Sequence, residues 1–68
     1  MMVDNEVIAE RLKKLRGNKT QKEVADACNI SVSALAMYET GQRIPRDEVK
    51  VKLANYFHRT VQTIFFAQ

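Results

Sequence analysis

Sixty-eight residues suffice for one domain, expected to span 1–68, and a chain this short buries only about 60% of the surface that its unfolded form exposes. The single cysteine, Cys28, excludes an intrachain disulfide and fits a reducing cytoplasm. No apolar run approaches the ~20 residues of a membrane span, the opening Met1-Met2-Val3-Asp4-Asn5-Glu6 lacks the basic-then-apolar order of a secretory signal, and the net charge of +3 permits an anionic partner without requiring one.

The first helix is expected from about Asp4 to Arg16. Val7 or Ile8, then Leu12 and Leu15, recur at helical spacing. Asp4, Glu6 and Glu10 lie early and Lys13, Lys14 and Arg16 late, the order that the helix dipole favours. Gly17 suits the position just past a helix end. Thr20-Gln21-Lys22-Glu23 reads as a capping box opening a short second helix, about Gln21 to Cys28, with Val24, Ala25 and Cys28 on its inner face. Asn29 tolerates positive φ and turns the chain, and Ile30 plugs the turn. Ser31 caps a third helix that runs to about Thr40, where Gly41 stops it. Pro45 starts a fourth helix or lies just before it, Asp47 and Glu48 favour its first turn, and Val49, Leu53, Tyr56 and Phe57 form its apolar stripe. Val49-Lys50-Val51-Lys52-Leu53 also alternates like a strand, but the helical pattern continues to Phe57 and no second strand is available to pair with it. A last short helix, about Val61 to Phe66, brings in Val61, Ile64 and Phe65.

The second and third helices, joined by a few residues, make a helix-turn-helix unit. Small Ala25 stands where the two helices cross, Asn29 turns the chain four residues later, and Ile30 and Leu35 close the core. The strings Thr20-Gln21-Lys22-Glu23-Val24-Ala25, Asn29-Ile30-Ser31-Val32-Ser33-Ala34-Leu35, Tyr38-Glu39-Thr40-Gly41 and Arg43-Ile44-Pro45 resemble the Cro and phage-repressor, Xre-like, helix-turn-helix family. Leu53-Ala54-Asn55-Tyr56-Phe57 and Thr60-Val61-Gln62-Thr63-Ile64-Phe65 resemble its fourth and fifth helices. The resemblance implies an all-α, compact five-helix repressor-like domain that binds double-stranded operator DNA, commonly as a homodimer, and regulates transcription.

At 100° per residue, Ala34, Leu35 and Tyr38 fall on one side of the third helix, and Val32, Ser33, Ala36, Met37 and Thr40 on the other. The second group would face the major groove. The resemblance matches Val32, Ser33 and Met37 to base-reading positions, and Gln21, Arg43 and Arg46 to contacts with the DNA backbone. It also matches Arg16 and Glu39 to an ion pair that links the first helix to the end of the third. Four places depart from the family pattern. The Gly17-Asn18-Lys19 loop is short, Val32 replaces a common Arg or Gln, His58 replaces a common Gly, and Arg59 takes a place often apolar. A Val cannot make the two-point contact to guanine that Arg makes. The helix reads either thymine methyls by apolar contact or the shape of the DNA.

Other residues read more plainly. Cys28 is a small buried filler, with no Cys or His at metal-ligand spacing. His58 is a polar residue at a helix end, and Lys13, Lys14, Lys50 and Lys52 are solvated faces. Met37 fits either the core or the DNA face, and its place in the arc favours the latter. Phe66 follows Phe65 directly and cannot share its direction, which marks it as a homodimer seam or a cap folded back on its own core. No catalytic set, phosphate-cradling Gly loop, metal site, cofactor motif or small-molecule site is evident, so an enzyme is not expected. The alternatives to a stand-alone repressor are a protein-interaction module of the same fold, such as an antitoxin or adaptor, and the controller protein of a restriction-modification operon.

Overall fold

The computed structural model describes residues 4–67, so the leader reading at Met1-Met2-Val3 lies outside the described residues. Helix α1 (Asn5–Arg16) begins where the Asp4 carboxylate accepts the Val7 amide at 3.0 Å. Ile8, Ala9 and Leu12 are its buried face, and Lys13, Lys14 and Arg16 occupy its last turn. Helix α2 (Gln21–Ala27) starts at Thr20, whose hydroxyl accepts the Glu23 amide at 3.0 Å, one half of the expected box. Helix α3 (Val32–Glu39) starts at Ser31 through the same bond to the Ala34 amide. Such caps satisfy amides that the helix itself leaves without partners.

Helix α4 (Asp47–Tyr56) has no side-chain cap. It begins two residues after Pro45, which is buried, and Asp47 and Glu48 supply the negative charge in its first turn. A final turn, α5 (Gln62–Phe66), replaces the expected ordinary helix with wider π winding, closed by the Ala67 amide on the Gln62 carbonyl at 2.7 Å. No strand occurs among the described residues, so the alternating Val49–Leu53 segment is helical throughout.

Three helices end with one device. The residue two past the helix cap donates its amide back across five residues, and the residue between them takes positive φ. In α2 these bonds are Ile30 to Ala25 at 3.0 Å and Asn29 to Asp26 at 3.2 Å, with Asn29 at φ 56°. In α3 they are Gln42 to Met37 at 3.0 Å and Gly41 to Tyr38 at 3.4 Å, with Gly41 at φ 78°. In α4 they are Arg59 to Ala54 at 2.9 Å and His58 to Asn55 at 3.2 Å, with His58 at φ 57°. An L-residue resists that conformation, so His58 holds a strained turn that a glycine would relax.

The core draws on every helix. Leu12, Val24, Leu35, Leu53 and Ile64 are its largest fully buried side chains, joined by Ala25, Cys28, Tyr38 and Phe65. Burial pushes the Cys28 thiol above its ordinary pKa, with the charge of Lys52 opposing the shift. The α4 stripe packs as expected at Val49 and Leu53, and Tyr56 and Phe57 lie against the core at its edge. Tyr56 and Phe57 are only half-buried and meet edge to face at 5.1 Å, while small Ala54 is buried. Lys50, by contrast, is not a solvated residue. Its side chain is 13% exposed, and its ammonium lies 4.8 Å from the centre of the Phe66 ring and 5.8 Å from that of Phe65. The Lys50 ammonium thus sits over the two rings in a cation–π arrangement.

Candidate nucleic-acid interface

Eight residues at 1.5 Å rise make α3 about 12 Å long, a rod that the roughly 12 Å wide major groove of B-DNA admits. Its inner side is sealed. Leu35, Tyr38 and Glu39 are buried and Ala34 is half-buried. Its outer side stays open. Val32 is 41% exposed, Ser33 and Thr40 are exposed, and Ala36 and Met37 are half-buried. Met37 thus lies at the margin between core and free face. The Ser33 hydroxyl makes no bond within the described residues, whereas the Thr40 hydroxyl is spent on the Ala36 carbonyl at 3.0 Å. Of the polar groups on the arc, Ser33 alone retains its full bonding capacity.

The base of α3 is locked in place by charge. Glu39, the last residue of the helix, is 3% exposed. It accepts Arg16 Nε at 2.7 Å on Oε2 and Arg16 Nη2 at 3.1 Å on Oε1. The two-point geometry is the strong form of this pair. Gln21 Nε2 donates to Glu39 Oε1 at 2.9 Å, and Arg16 Nη1 reaches the Lys19 carbonyl at 2.7 Å. The Glu39 carboxylate therefore ties the end of α1 and the first residue of α2 to the end of α3, and Arg16 adds the loop through the Lys19 carbonyl. Asn5 Nδ2 adds a bond to the Gly41 carbonyl at 3.3 Å, so both ends of α1 hold the end of α3.

Sequence reasoning paired Arg16 with Glu39 and did not foresee Gln21 as a third member. A separation of 18 residues leaves no local signal for that bond. It consumes one N–H of the Gln21 amide and leaves the other free for an external acceptor.

The segment after α3 carries exposed Arg43, Ile44 and Arg46, with Ile44 45% exposed. Neither arginine has a carboxylate within 4.0 Å among the described residues. Lys22, beside Gln21, is by contrast paired with Asp26 at 2.8 Å, which raises its pKa and offsets its charge. The segment after α3 thus carries two arginines without a carboxylate partner among the described residues. Ile44 is an exposed member of that segment that the sequence reading did not single out.

A family model described as helix-turn-helix matches residues 8–64. The chain belongs to this Xre-like helix-turn-helix family. DNA binding in the manner of helix-turn-helix transcription regulators follows from that membership. Among solved structures, the chain is similar to the restriction-modification controller protein C.AhdI from Aeromonas hydrophila. The identity is 25% over 90% of this chain and 96% of that one, with a TM-score of 0.81. It is also similar to the SOS-response transcriptional repressor LexA from Eubacterium rectale, at 25% identity over 98% of this chain and 77% of that one, with a TM-score of 0.85. A transcriptional regulator from Listeria innocua matches at 26% identity over 90% of this chain, which spans 60% of that protein, with a TM-score of 0.79. No curated protein matches the chain.

The likeness to these regulators agrees with the five helices, and no described helix is long and apolar enough to cross a membrane.

Proposed function

We propose that this helix-turn-helix protein is a transcriptional repressor of the cytoplasm that binds a short two-fold operator as a homodimer. The observation that carries the reading is the open outer face of α3 beside two unpaired arginines, Arg43 and Arg46. In this reading Val32, Ser33 and Met37 meet base edges in the major groove, and Gln21, Arg43 and Arg46 bond phosphates. Base pairs contacted by one such helix are too few for much specificity, and a second copy one DNA turn away supplies the rest. Phe66, 52% exposed at the end of α5, is the proposed contact between copies, since a two-fold interface uses one patch twice.

Repression requires only that the bound dimer occupy a promoter, so no cofactor enters and no chemistry is catalysed. A controller role in a restriction-modification operon is the second reading, favoured by the 96% of C.AhdI that this chain spans. It uses the same DNA-binding surface. A protein-binding module is less well supported, because the exposed apolar Ile44 is flanked in sequence by Arg43 and Arg46.

Hydroxyl-radical footprinting on a selected operator tests the proposal. The expected result is two protected patches, related by a dyad and about one helical turn apart. A single patch would contradict the homodimer, and uniform protection along the DNA would contradict the operator.

A further inference from the structure

A cleft of about 270 Å³ opens between α1 and α5, lined by Arg11, Lys14, Leu15, Arg59, Thr63 and Ile64. None of these residues lies in α2, α3 or the segment of Arg43 and Arg46. Its floor is apolar, with Ile64 buried and Leu15 half-buried. Its rim holds three cations, and none of them has a carboxylate within 4.0 Å among the described residues. The nearby Glu10 is committed to Lys13 at 3.0 Å.

Two of these cations are placed by backbone geometry. Arg11 Nη1 donates to the Thr63 carbonyl at 3.2 Å and the Ile64 carbonyl at 3.0 Å. Those carbonyls fix the guanidinium without neutralising it, and its remaining N–H groups make no bond within the described residues. Arg59 sits two past the cap of α4, held by its amide on the Ala54 carbonyl at 2.9 Å. That place in the turn ordinarily carries an apolar side chain packed back on the helix. Here it carries a charge, at the rim of the cleft.

We propose that this cleft binds a small amphipathic organic anion, a carboxylate on an aromatic or apolar body. The carboxylate would relieve the mutual repulsion of Arg11, Lys14 and Arg59, and would take two-point bonds from a guanidinium. The apolar body would cover Leu15 and Ile64 and stack on the Arg59 guanidinium plane. A bare inorganic anion satisfies the rim and leaves the floor wet. The site does not depend on the DNA-binding reading and stands or falls separately from it.

The test is titration of 2-naphthoate into the full isotope-labelled chain, followed by amide chemical shifts. The expected result is saturable shifts centred on Leu15, Arg59 and Thr63. Neutral 2-naphthamide and inorganic phosphate should each bind about tenfold or more weakly. The double variant Lys14→Gln/Arg59→Gln, both positions exposed, should lose about tenfold in affinity with an unchanged melting temperature. Arg11 is left intact because its bonds hold α5. Non-saturating shifts, shifts centred on Arg43 and Arg46, equal binding by the amide or by phosphate, or an unaffected double variant would each overturn the proposal.

Discussion

Replacing Arg16 with Met tests whether the end of α3 is held by charge. Glu39 is 3% exposed and has three donors, two from Arg16 and one from Gln21. Arg16→Met leaves a buried carboxylate with one neutral donor, a loss of about 3–5 kcal/mol for an orphaned buried charge. A chain of this length has a total stability on the order of 3–10 kcal/mol, so the variant should keep at most about 7 kcal/mol, and it unfolds at room temperature only where the wild type lies near the low end. Glu39→Gln is milder. Arg16 keeps the Lys19 carbonyl at 2.7 Å and its side chain is 22% exposed, so water reaches it, and the cost should be about 1–3 kcal/mol. The double variant Arg16→Met/Glu39→Met removes both charges. It should be more stable than Arg16→Met alone by about 3 kcal/mol or more, because a buried pair replaced by apolar residues is often neutral or stabilising. Urea unfolding followed by circular dichroism gives all three values. An Arg16→Met cost under about 0.5 kcal/mol, typical of a surface pair, would refute the reasoning. So would a double variant no more stable than Arg16→Met alone.

Arg43→Ala should weaken binding to all DNA sequences alike and flatten the plot of log affinity against log salt by about 0.9 for each phosphate that Arg43 neutralises. A loss confined to one base position would show that Arg43 reads a base. His58→Gly should raise the melting temperature by roughly 2–8 °C. Relief of positive φ is worth about 1–2 kcal/mol and the flexibility of glycine returns about half of it, so a lowered melting temperature would contradict the strain at φ 57°. Phe66→Ser should sediment as a monomer with weaker operator binding and an intact fold, and a variant that remains dimeric would remove Phe66 from the interface.

The sequence makes the helix starts legible where a side chain marks them. Thr20 and Ser31 each carry a cap whose oxygen lies within bonding reach of an amide three residues on, and both helices begin there. Asn29 and Gly41 mark two helix ends by the same logic, since positive φ selects residue types. Where the signal is not local, the reading falls short. The start of α4 has no capping side chain, and Pro45 lies just before it, so the sequence marked the region of the boundary and not its residue. The winding of α5 depends on how one turn seats against α1 and α4, and five residues carry no period that separates π from α. Val49 and Leu53 are core, but whether Tyr56 or Ala54 joins them depends on what packs opposite.

For the candidate site, the helical period separates the two faces of α3, because burial follows rotation about the axis. Leu35 and Tyr38 are sealed and Ser33 is open. The bond from Gln21 to Glu39 and the position of Lys50 over Phe66 are long-range contacts, and no spacing along the chain encodes them. The cleft at Arg11 and Arg59 belongs to the same class. Its two arginines are 48 positions apart in the chain, and the sequence alone offered no small-molecule site.

The central claim is that the outer face of α3 reads duplex DNA. Selection of bound sequences from a random duplex pool tests it most directly, run in parallel on the wild type, Ser33→Ala and Met37→Ala. The account predicts a two-fold motif for the wild type, and altered base preference in the folded variants at the positions they face. A well-made contact to a base edge is worth about 1–3 kcal/mol of discrimination, ample to shift an enriched pool. No enrichment at low salt, or one profile shared by the wild type and both variants, would contradict it.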